Sequence, residues 1–452
     1  MSPGTPFSVE DVTFGLAFGL AILFAAWPLL RRSAEPAVLF TALVAKLLVS
    51  LAFSAYVIFV TRGDVTLYHY GGIGYASALR SNVASGALDY VLAHPFFWVG
   101  NIPTDNAIAF SGVIHALLFD SFLASSFVFA VIGFAGQVLI YRTFVSYYPD
   151  PRLRMWWRVG ILFFPTLTFW SSGLLKDPLG IFGMGCVLWG IRNLLERVSV
   201  RYLLLTALGG YTLLLFRPQI ALVLFLAAVP WFRQARKQSE RAPGERSMRK
   251  RGGRLIRAGL IVGSVAMVFV VGYIFPQFSL AQLPQSVASQ NSEYAAIAGA
   301  QSGVYTPVTP IVHEPSWSSL ISTYPAALLT SLYRPFPWEA ASPAVLLAAL
   351  ENLALLLLTA RMVFHTARER TILVRALGSP LFLTCLIFVA LFSLGVGEST
   401  PNLGTISRYR IPMVPFLVGA FIILEYQLMQ LHARVNLRRS QVDTAPVTLA
   451  SN

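Results

Sequence analysis

Long apolar runs dominate the pattern of hydrophobic and polar positions along this chain, and polar residues gather in the short stretches between them. About 20 consecutive apolar residues cross the hydrocarbon core of a bilayer as one helix. The pattern predicts an all-α, polytopic transmembrane bundle in which the segments 159–191 and 202–232 form helical hairpins with tight outer turns. About eleven spans are expected, near residues 11–30, 37–60, 121–141, 159–175, 178–191, 202–216, 219–232, 257–276, 341–360, 377–396 and 411–430.

The composition supports this class. Hydrophobic residues make up 56% of the chain and charged residues 12%, with a mean hydropathy of +0.65, whereas a soluble domain carries about 25% charged residues. Cys186 and Cys385 both fall inside apolar spans, which excludes an extracellular disulfide framework. The spacing of Cys and His residues does not resemble a zinc site. No metal site is predicted, and whether the protein needs a divalent cation as a cofactor stays open.

The basic residues predict the orientation of the bundle. Most of the 34 Lys and Arg residues fall in alternate loops, including 142–158, 192–201, 233–257 and 361–375. Short cytoplasmic loops carry such an excess, so the N-terminus is expected outside and the C-terminus inside, in a multi-pass protein of the inner (plasma) membrane. The net charge of +14 is spread over every inner loop. This favours contact with anionic membrane lipids over binding of nucleic acid.

The polar stretches also predict the organisation of the chain. Residues 107–120 form an amphipathic piece that is too short to span and is expected to lie in the membrane interface. The predicted parts are an N-terminal bundle (1–232) with a first large outer loop (61–106), a basic cytoplasmic linker (233–257), a C-terminal bundle (258–437) with a second large outer loop (276–342), and a disordered tail (438–452).

Asp64 opens the first group of candidate site residues. It follows the second span and Gly63, which allows a sharp turn, so its carboxylate faces the outer interface. A carboxylate there can take a proton from a hydroxyl or hold a metal bound to a phosphate, or it can simply pair with Arg62. His69, in the same stretch, is either a second base or phosphate ligand, or an interfacial histidine without a catalytic role.

Two predicted outer turns carry further charges. Lys176 and Asp177 lie in one turn, where Pro178 is expected to begin the next helix. A single charge costs roughly 2.5–3.5 kcal/mol at mid-membrane on the insertion scale, so these two residues pair with each other, stay near the interface or bind a ligand. Arg217 lies in the other turn, where an anion-binding role is favoured.

Arg408 and Arg410 lie at the outer start of the last span, against the positive-inside trend. Guanidinium groups match a phosphate with two parallel hydrogen bonds, and helix beginnings add partial positive charge. With Lys176 and Arg217 they form a predicted diphosphate cradle. Lys46 is the one charge that the pattern places in the middle of a span, where it reaches an interior acid or snorkels to the inner face.

Several short strings, together with the tight outer hairpins and the large outer loops, are similar to those of a known family. The strings lie around Asp64 and Arg217 and at residues 169–178 and 408–412. The chain resembles the GT-C type integral-membrane glycosyltransferases of bacterial cell-surface polysaccharide synthesis, over most of its length and through short strings. The resemblance implies a catalytic base at Asp64. It also implies lipid-phosphate or substrate contacts at Lys176, Arg217, Arg408 and Arg410, with His69 and Asp177 beside them.

The expected function is therefore transfer of a sugar from a polyprenyl-phosphate-linked donor to a glycan or lipid acceptor on the extracytoplasmic face, in synthesis of cell-envelope polysaccharide or glycolipid. The inner side lacks a Gly-rich phosphate loop for a nucleotide. Two alternatives stay open. An oligosaccharide repeat-unit polymerase or O-antigen ligase would use Arg408 and Arg410 with His94 or His313. A flippase or transporter of an anionic lipid would need charged residues along a path through several spans.

Overall fold

A computed structural model describes residues 5–61, 63–82, 98–99, 102–233, 248–301, 315–340, 343–400 and 403–443. These residues are 87% helical and contain no strand, so the predicted all-α class is confirmed. The α-helices of the described part are, in order, α1 (Val9–Leu30), α2 (Pro36–Tyr56), α3 (Gly63–Asn82), α4 (Pro103–Leu117), α5 (Phe122–Tyr147), α6 (Arg154–Trp157), α7 (Pro165–Trp170), α8 (Lys176–Glu196), α9 (Val200–Phe216), α10 (Pro218–Ala228), α11 (Met248–Ile274), α12 (Leu283–Gln301), α13 (Trp317–Tyr333), α14 (Pro343–Arg368), α15 (Arg370–Leu377), α16 (Pro380–Ser399), α17 (Leu403–Tyr409) and α18 (Val414–Asp443).

Several of these helices are long and apolar enough to cross a membrane, as expected of a membrane protein. Within the described residues, seven helical segments meet the length and hydropathy needed: Val9–Leu30, Pro36–Val60, Phe122–Tyr147, Lys176–Glu196, Val345–Arg368, Pro380–Ser399 and Leu403–Asn436. Three shorter apolar helices, Val200–Phe216, Pro218–Trp231 and Ala258–Ile274, coincide with further predicted spans.

The predicted span 159–175 is not a continuous helix. Arg158–Leu162 are π-helical, the helix then stops, and α7 restarts at Pro165. A proline has no N–H to donate and pushes the residue before it out of the helical region, and Phe164 is accordingly extended, with φ −65° and ψ 121°. The prediction failed because hydropathy registers the apolar run but does not register the break at Pro165.

The described parts of the two predicted outer loops are largely helical. The first contains α3, and the second contains α12 and α13. α4 packs closely on α3 instead of lying alone, because a Cβ built on Gly112 would come 2.6 Å from the side chain of Tyr75. The linker and tail are also shorter than predicted, since α11 already begins at Met248 and α18 continues to Asp443.

Close contacts between small residues bring α5, α8 and α9 together at the centre of the bundle. A Cβ built on Gly136 of α5 would lie 2.5 Å from the carbonyl oxygen of Ile181, and one on Gly185 of α8 would lie 2.4 Å from that of Gly136. On the other side of α8, a Cβ on Gly209 of α9 would lie 2.6 Å from the carbonyl oxygen of Gly183. Small residues allow helix backbones to approach in this way inside membranes.

Polar contacts distinguish the two ends of the bundle. At one end, Asp11 of α1 accepts hydrogen bonds from Ser121 Oγ (2.7 Å) and Leu123 N (3.2 Å) at the start of α5. At the opposite end, Glu35 before α2 accepts from Arg154 Nη1 (2.7 Å) and Arg158 Nη2 (3.0 Å). The segment from α6 to the start of α8 therefore leaves the Glu35 end and, through the break at Pro165, runs along the bundle.

Lys46 anchors this broken segment from the middle of α2. Its Nζ donates to Gln137 Oε1 (2.8 Å), to Ser171 Oγ (2.6 Å) and to the carbonyl oxygen of Thr168 (3.3 Å). Its hydrogen-bond partners are neutral, so neither the interior acid nor the snorkelling expected for it is found. Lys46 instead joins α2 and α5 to the C-terminal end of α7.

The glycine contacts predict a sharp difference between two substitutions. Gly136→Ala should lower the stability of the folded protein by about 1–3 kcal/mol, because its methyl group must push α5 and α8 apart. Gly395→Ala in α16 meets no atom within 4 Å and should leave stability unchanged. Thermal unfolding of the detergent-purified variants measures both, and equal midpoints would contradict the close packing.

Candidate functional site

Five charged side chains meet at one end of the bundle, and we call them the charge cluster: Asp64, Lys176, Asp177, Arg217 and Arg408. Asp177, in the first turn of α8, is at its centre. Its Oδ1 accepts from Arg217 Nη2, and its Oδ2 accepts from Arg408 Nε at 2.7 Å. All three side chains are largely buried, with 4% of Asp177 exposed. One carboxylate thus holds two guanidinium groups from distant parts of the chain.

Asp64 closes the cluster on its solvent side. Arg408 Nη1 donates to Asp64 Oδ2 at 2.8 Å, and 46% of the Asp64 side chain is exposed. Burial raises the pKa of this carboxyl, but the charge and hydrogen bond of Arg408, helped by Lys176 and Arg217, outweigh it and hold the pKa below its usual range. Asp64 is therefore ionised at neutral pH and can accept a proton.

Local sequence explains how the turns present these groups. Arg217 is the only residue between α9 and α10, and Pro218 occupies the first position of α10. α8 begins at Lys176, two residues before Pro178, so the expectation that Pro178 starts the helix is wrong. A proline is tolerated there because the N–H groups of a first turn have no partner within the helix.

Lys176 does not pair with its neighbour Asp177. Its Nζ donates to Thr104 Oγ1 at 3.0 Å, at the start of α4. The ammonium group nevertheless interacts electrostatically with both carboxylates and both guanidinium groups of the cluster. With three basic and two acidic groups, the charge cluster has an excess of one positive charge when every member is ionised.

Arg408 retains an unused hydrogen-bond donor. Its Nη2 is buried and makes no hydrogen bond within the described structure. The ring of Tyr409 lies beside both guanidinium groups, with its centroid 5.5 Å from Arg217 Cζ and 5.7 Å from Arg408 Cζ. Such contacts orient a guanidinium without using its donors, so the cluster can accept hydrogen-bonding oxygens from a ligand.

Arg410 does not join the cluster, contrary to the predicted cradle. It is 1% exposed, and its Nη2 donates to Glu351 Oε1 at 3.1 Å while its Nη1 donates to the carbonyl oxygen of Leu332. Arg408 lies in the last turn of α17, and Arg410 follows that helix and precedes the 3₁₀ turn Ile411–Met413, so the two side chains reach different partners. Glu351 lies inside the predicted span 341–360, so Lys46 is not the one charge within a span.

His69 also faces away from the cluster. It is fully buried, and its Nδ1 lies 3.2 Å from Nε2 of His115, whose Nδ1 lies 2.9 Å from Ser125 Oγ. Burial, with smaller contributions from His69 and Arg80, lowers the pKa of His115 to about 3, so its ring is neutral. The pair joins α3 and α4 to α5 within the packed protein.

Sequence reasoning missed three residues around the cluster. Thr104 receives the Lys176 hydrogen bond, Tyr409 lies beside both arginines, and Tyr68 is buried within electrostatic reach of Asp64 and Arg408. Burial raises the pKa of Tyr68, which keeps its hydroxyl protonated. Of these three, only Tyr68 could have been predicted, because it lies four residues after Asp64 and residues four apart share a helix face.

Some predicted residues lie outside the described part of the chain, namely Arg62, His94 and His313. Within the described part, no group of three or more His, Cys, Asp or Glu side chains is arranged to hold a metal ion. The charge cluster as it stands offers anion-binding donors beside one ionised, accessible carboxylate. Comparisons with protein-family models, with curated proteins and with solved structures found no match to this chain.

The cluster predicts unequal consequences for its two acids. Asp177→Asn removes the buried charge that holds Arg217 and Arg408, and breaking such a pair costs about 3–5 kcal/mol. Asp64→Asn removes an accessible partner, for which about 1 kcal/mol or less is expected. Thermal unfolding of the two purified variants should therefore show a much larger loss for Asp177→Asn, and a larger loss for Asp64→Asn would contradict the central place of Asp177.

Proposed function

We propose that this chain is an integral-membrane glycosyltransferase that moves a sugar from a polyprenyl-phosphate-linked donor to a glycan or lipid acceptor. The observation that carries the proposal is the convergence of Lys176, Arg217 and Arg408 beside the accessible carboxylate of Asp64 at one end of an apolar bundle. A lipid-linked phosphate suits both the apolar bundle and the basic cluster, since its polyprenyl chain stays in the bilayer and its phosphate reaches the end of the bundle.

The proposed topology places this cluster on the extracytoplasmic face. The positive-inside rule puts the N-terminus outside. With eleven crossings, counting the broken segment 154–175 as one, Asp64, Asp177, Arg217 and Arg408 lie on the same side as the N-terminus. The opposite end carries Arg154, Arg158 and Arg192 and follows the positive-inside rule. In this arrangement the donor sugar is attached to its lipid before it reaches the enzyme.

The proposed reaction uses the cluster in two ways. The acceptor hydroxyl oxygen attacks the anomeric carbon, and the bond between that carbon and the phosphate oxygen breaks. Asp64 takes the hydroxyl proton, and the departing polyprenyl phosphate keeps the electron pair. Lys176, Arg217 and Arg408 stabilise the negative charge that develops on the phosphate, which is the kind of electrostatic contribution that dominates many enzymes.

The two alternatives receive less support. The hypothesis of a polymerase or ligase depends on Arg408 and Arg410 acting together, but Arg410 forms a salt bridge with Glu351 in the interior. The transport reading depends on charges along a path. Lys46 binds Gln137 and Ser171, and Glu351 binds Arg410 and Thr166, so these two charged positions within spans serve contacts inside the protein.

A polyprenyl phosphate should stabilise the wild-type protein, because a ligand that binds only the folded state raises its apparent stability. The shift in the unfolding temperature of the detergent-purified protein should shrink in Arg408→Lys, which keeps the charge but loses the planar set of donors. The control is Arg80→Ala, which removes a basic residue paired with Asp120 outside the cluster and should keep the full shift. Equal shifts in all three proteins would contradict a phosphate site at Arg408.

Replacing Asp64 by Asn should abolish sugar transfer, since an amide cannot take the acceptor proton, while the protein stays folded. The measurement is release of polyprenyl phosphate from a radiolabelled polyprenyl-phosphate sugar by membranes that contain each variant. Asp105→Asn is the matched control, because Asp105 is an exposed acid at the start of α4. Transfer at the wild-type rate by Asp64→Asn would exclude Asp64 as the base.

A further inference from the structure

Arg408 is the residue that both acids of the charge cluster share. Its Nε donates to buried Asp177, its Nη1 donates to Asp64, and its Nη2 is a buried donor that makes no hydrogen bond within the described structure. The Nη1 and Nη2 atoms of one guanidinium point in the same general direction, which is how arginine binds two oxygens of a carboxylate or phosphate. Asp64 uses only one of these two donors.

The two carboxylates differ in how firmly they are held. Asp177 is 4% exposed and is bound by two arginines, so removing it would leave buried charges without a partner. Within the described residues Asp64 pairs with one arginine, and 46% of its side chain is exposed. Water can therefore take over its hydrogen bond when it leaves, and an ion pair with this exposure is worth about 1 kcal/mol or less.

The charges of the cluster point to the same difference. With Asp64 bound, the cluster has an excess of one positive charge. When Asp64 swings into water, Lys176, Arg217 and Arg408 face Asp177 alone, and the local excess becomes two positive charges. A phosphate monoester dianion or a diphosphate cancels that excess, whereas the phosphodiester of a polyprenyl-phosphate sugar carries one negative charge and replaces the charge of Asp64 one for one. In each case two phosphate oxygens can satisfy Nη1 and Nη2 of Arg408.

We infer that Asp64 occupies one phosphate-oxygen position on Arg408 in the ligand-free protein, and that a polyprenyl phosphate or diphosphate binds by displacing it. The inference rests on the proposed function, since it assigns to that same site how its ligand enters. Binding then does two things in one step. It fills the donors of Arg408, and it releases Asp64 from the cation that depresses its basicity, so the base becomes effective only when the lipid phosphate is in place.

This exchange predicts an unusual result, in which removing a residue of the site tightens binding. Asp64→Asn should bind a polyprenyl monophosphate at least about threefold more tightly than the wild type, because the competing anion is gone. The wild type, Asp64→Asn and Asp105→Asn are titrated in detergent, and the dissociation constant is taken from the shift in unfolding temperature against ligand concentration. Asp105→Asn removes the same charge from an exposed acid near Thr104 and should bind as the wild type does.

Two further ligands distinguish binding of the phosphate group from binding of the lipid chain. The uncharged polyprenol should bind Asp64→Asn and wild type equally, since it has no phosphate to compete for Arg408. Inorganic phosphate should also bind Asp64→Asn more tightly if the phosphate group is what is exchanged. Tightening toward polyprenol would mean that the substitution acts on the lipid chain, and the exchange would be wrong.

The outcomes distinguish the inference from the function on which it rests. If the wild type binds polyprenyl phosphate and Asp64→Asn binds it equally or more weakly, the exchange is wrong, while the lipid-phosphate site stands. If neither protein binds polyprenyl phosphate, the proposed function fails as well. An equal gain in Asp64→Asn and Asp105→Asn would show a general effect of charge and would also overturn the exchange.

Discussion

The buried carboxylate of Asp177 is the interaction on which the site depends. It binds Arg217 and Arg408, which are 40 and 231 residues away along the chain, and so joins the start of α8 to the turn before α10 and to the end of α17. Two guanidinium groups brought this close repel each other, and the shared carboxylate is what makes their approach favourable. Without this carboxylate, charge repulsion would oppose the approach of the two arginines to each other and to Lys176.

The position of Asp177 depends in turn on how closely its helix packs. Gly136 and Gly185 let α5 and α8 touch along their backbones, and Gly183 and Gly209 do the same for α8 and α9. Lys46 binds Ser171 at the end of α7, shortly before α8 begins. Contacts deep in the bundle therefore fix the height and direction at which α8 presents its first turn. Four members of the charge cluster thus lie on helices, and Arg217 lies in the turn between α9 and α10.

The features of the fold and of the site that the sequence predicts are those that depend on neighbouring residues in the chain. Hydropathy and length are local, so ten of the predicted spans coincide with apolar helices, and the short interval between two of those spans predicts the tight turn at Arg217. Pairing is not local. Nothing in the sequence separates Arg408 from Arg410, because the partner of each, Asp177 or Glu351, lies on a distant helix. Glu351 was overlooked because a single acid hardly changes the hydropathy of its span.

The contrast between those two arginines explains why the proposed ligand exchange is assigned to Arg408 and not to Arg410. Arg410 and Glu351 are 1% and 7% exposed, so an anion could replace Glu351 only if the protein opened and left a charge without solvation. Arg408 has a buried acid on one side and an accessible acid on the other. The buried acid keeps the arginine in place, and the accessible one can leave at low cost. A fixed cation with a replaceable partner is what reversible binding of a phosphate requires.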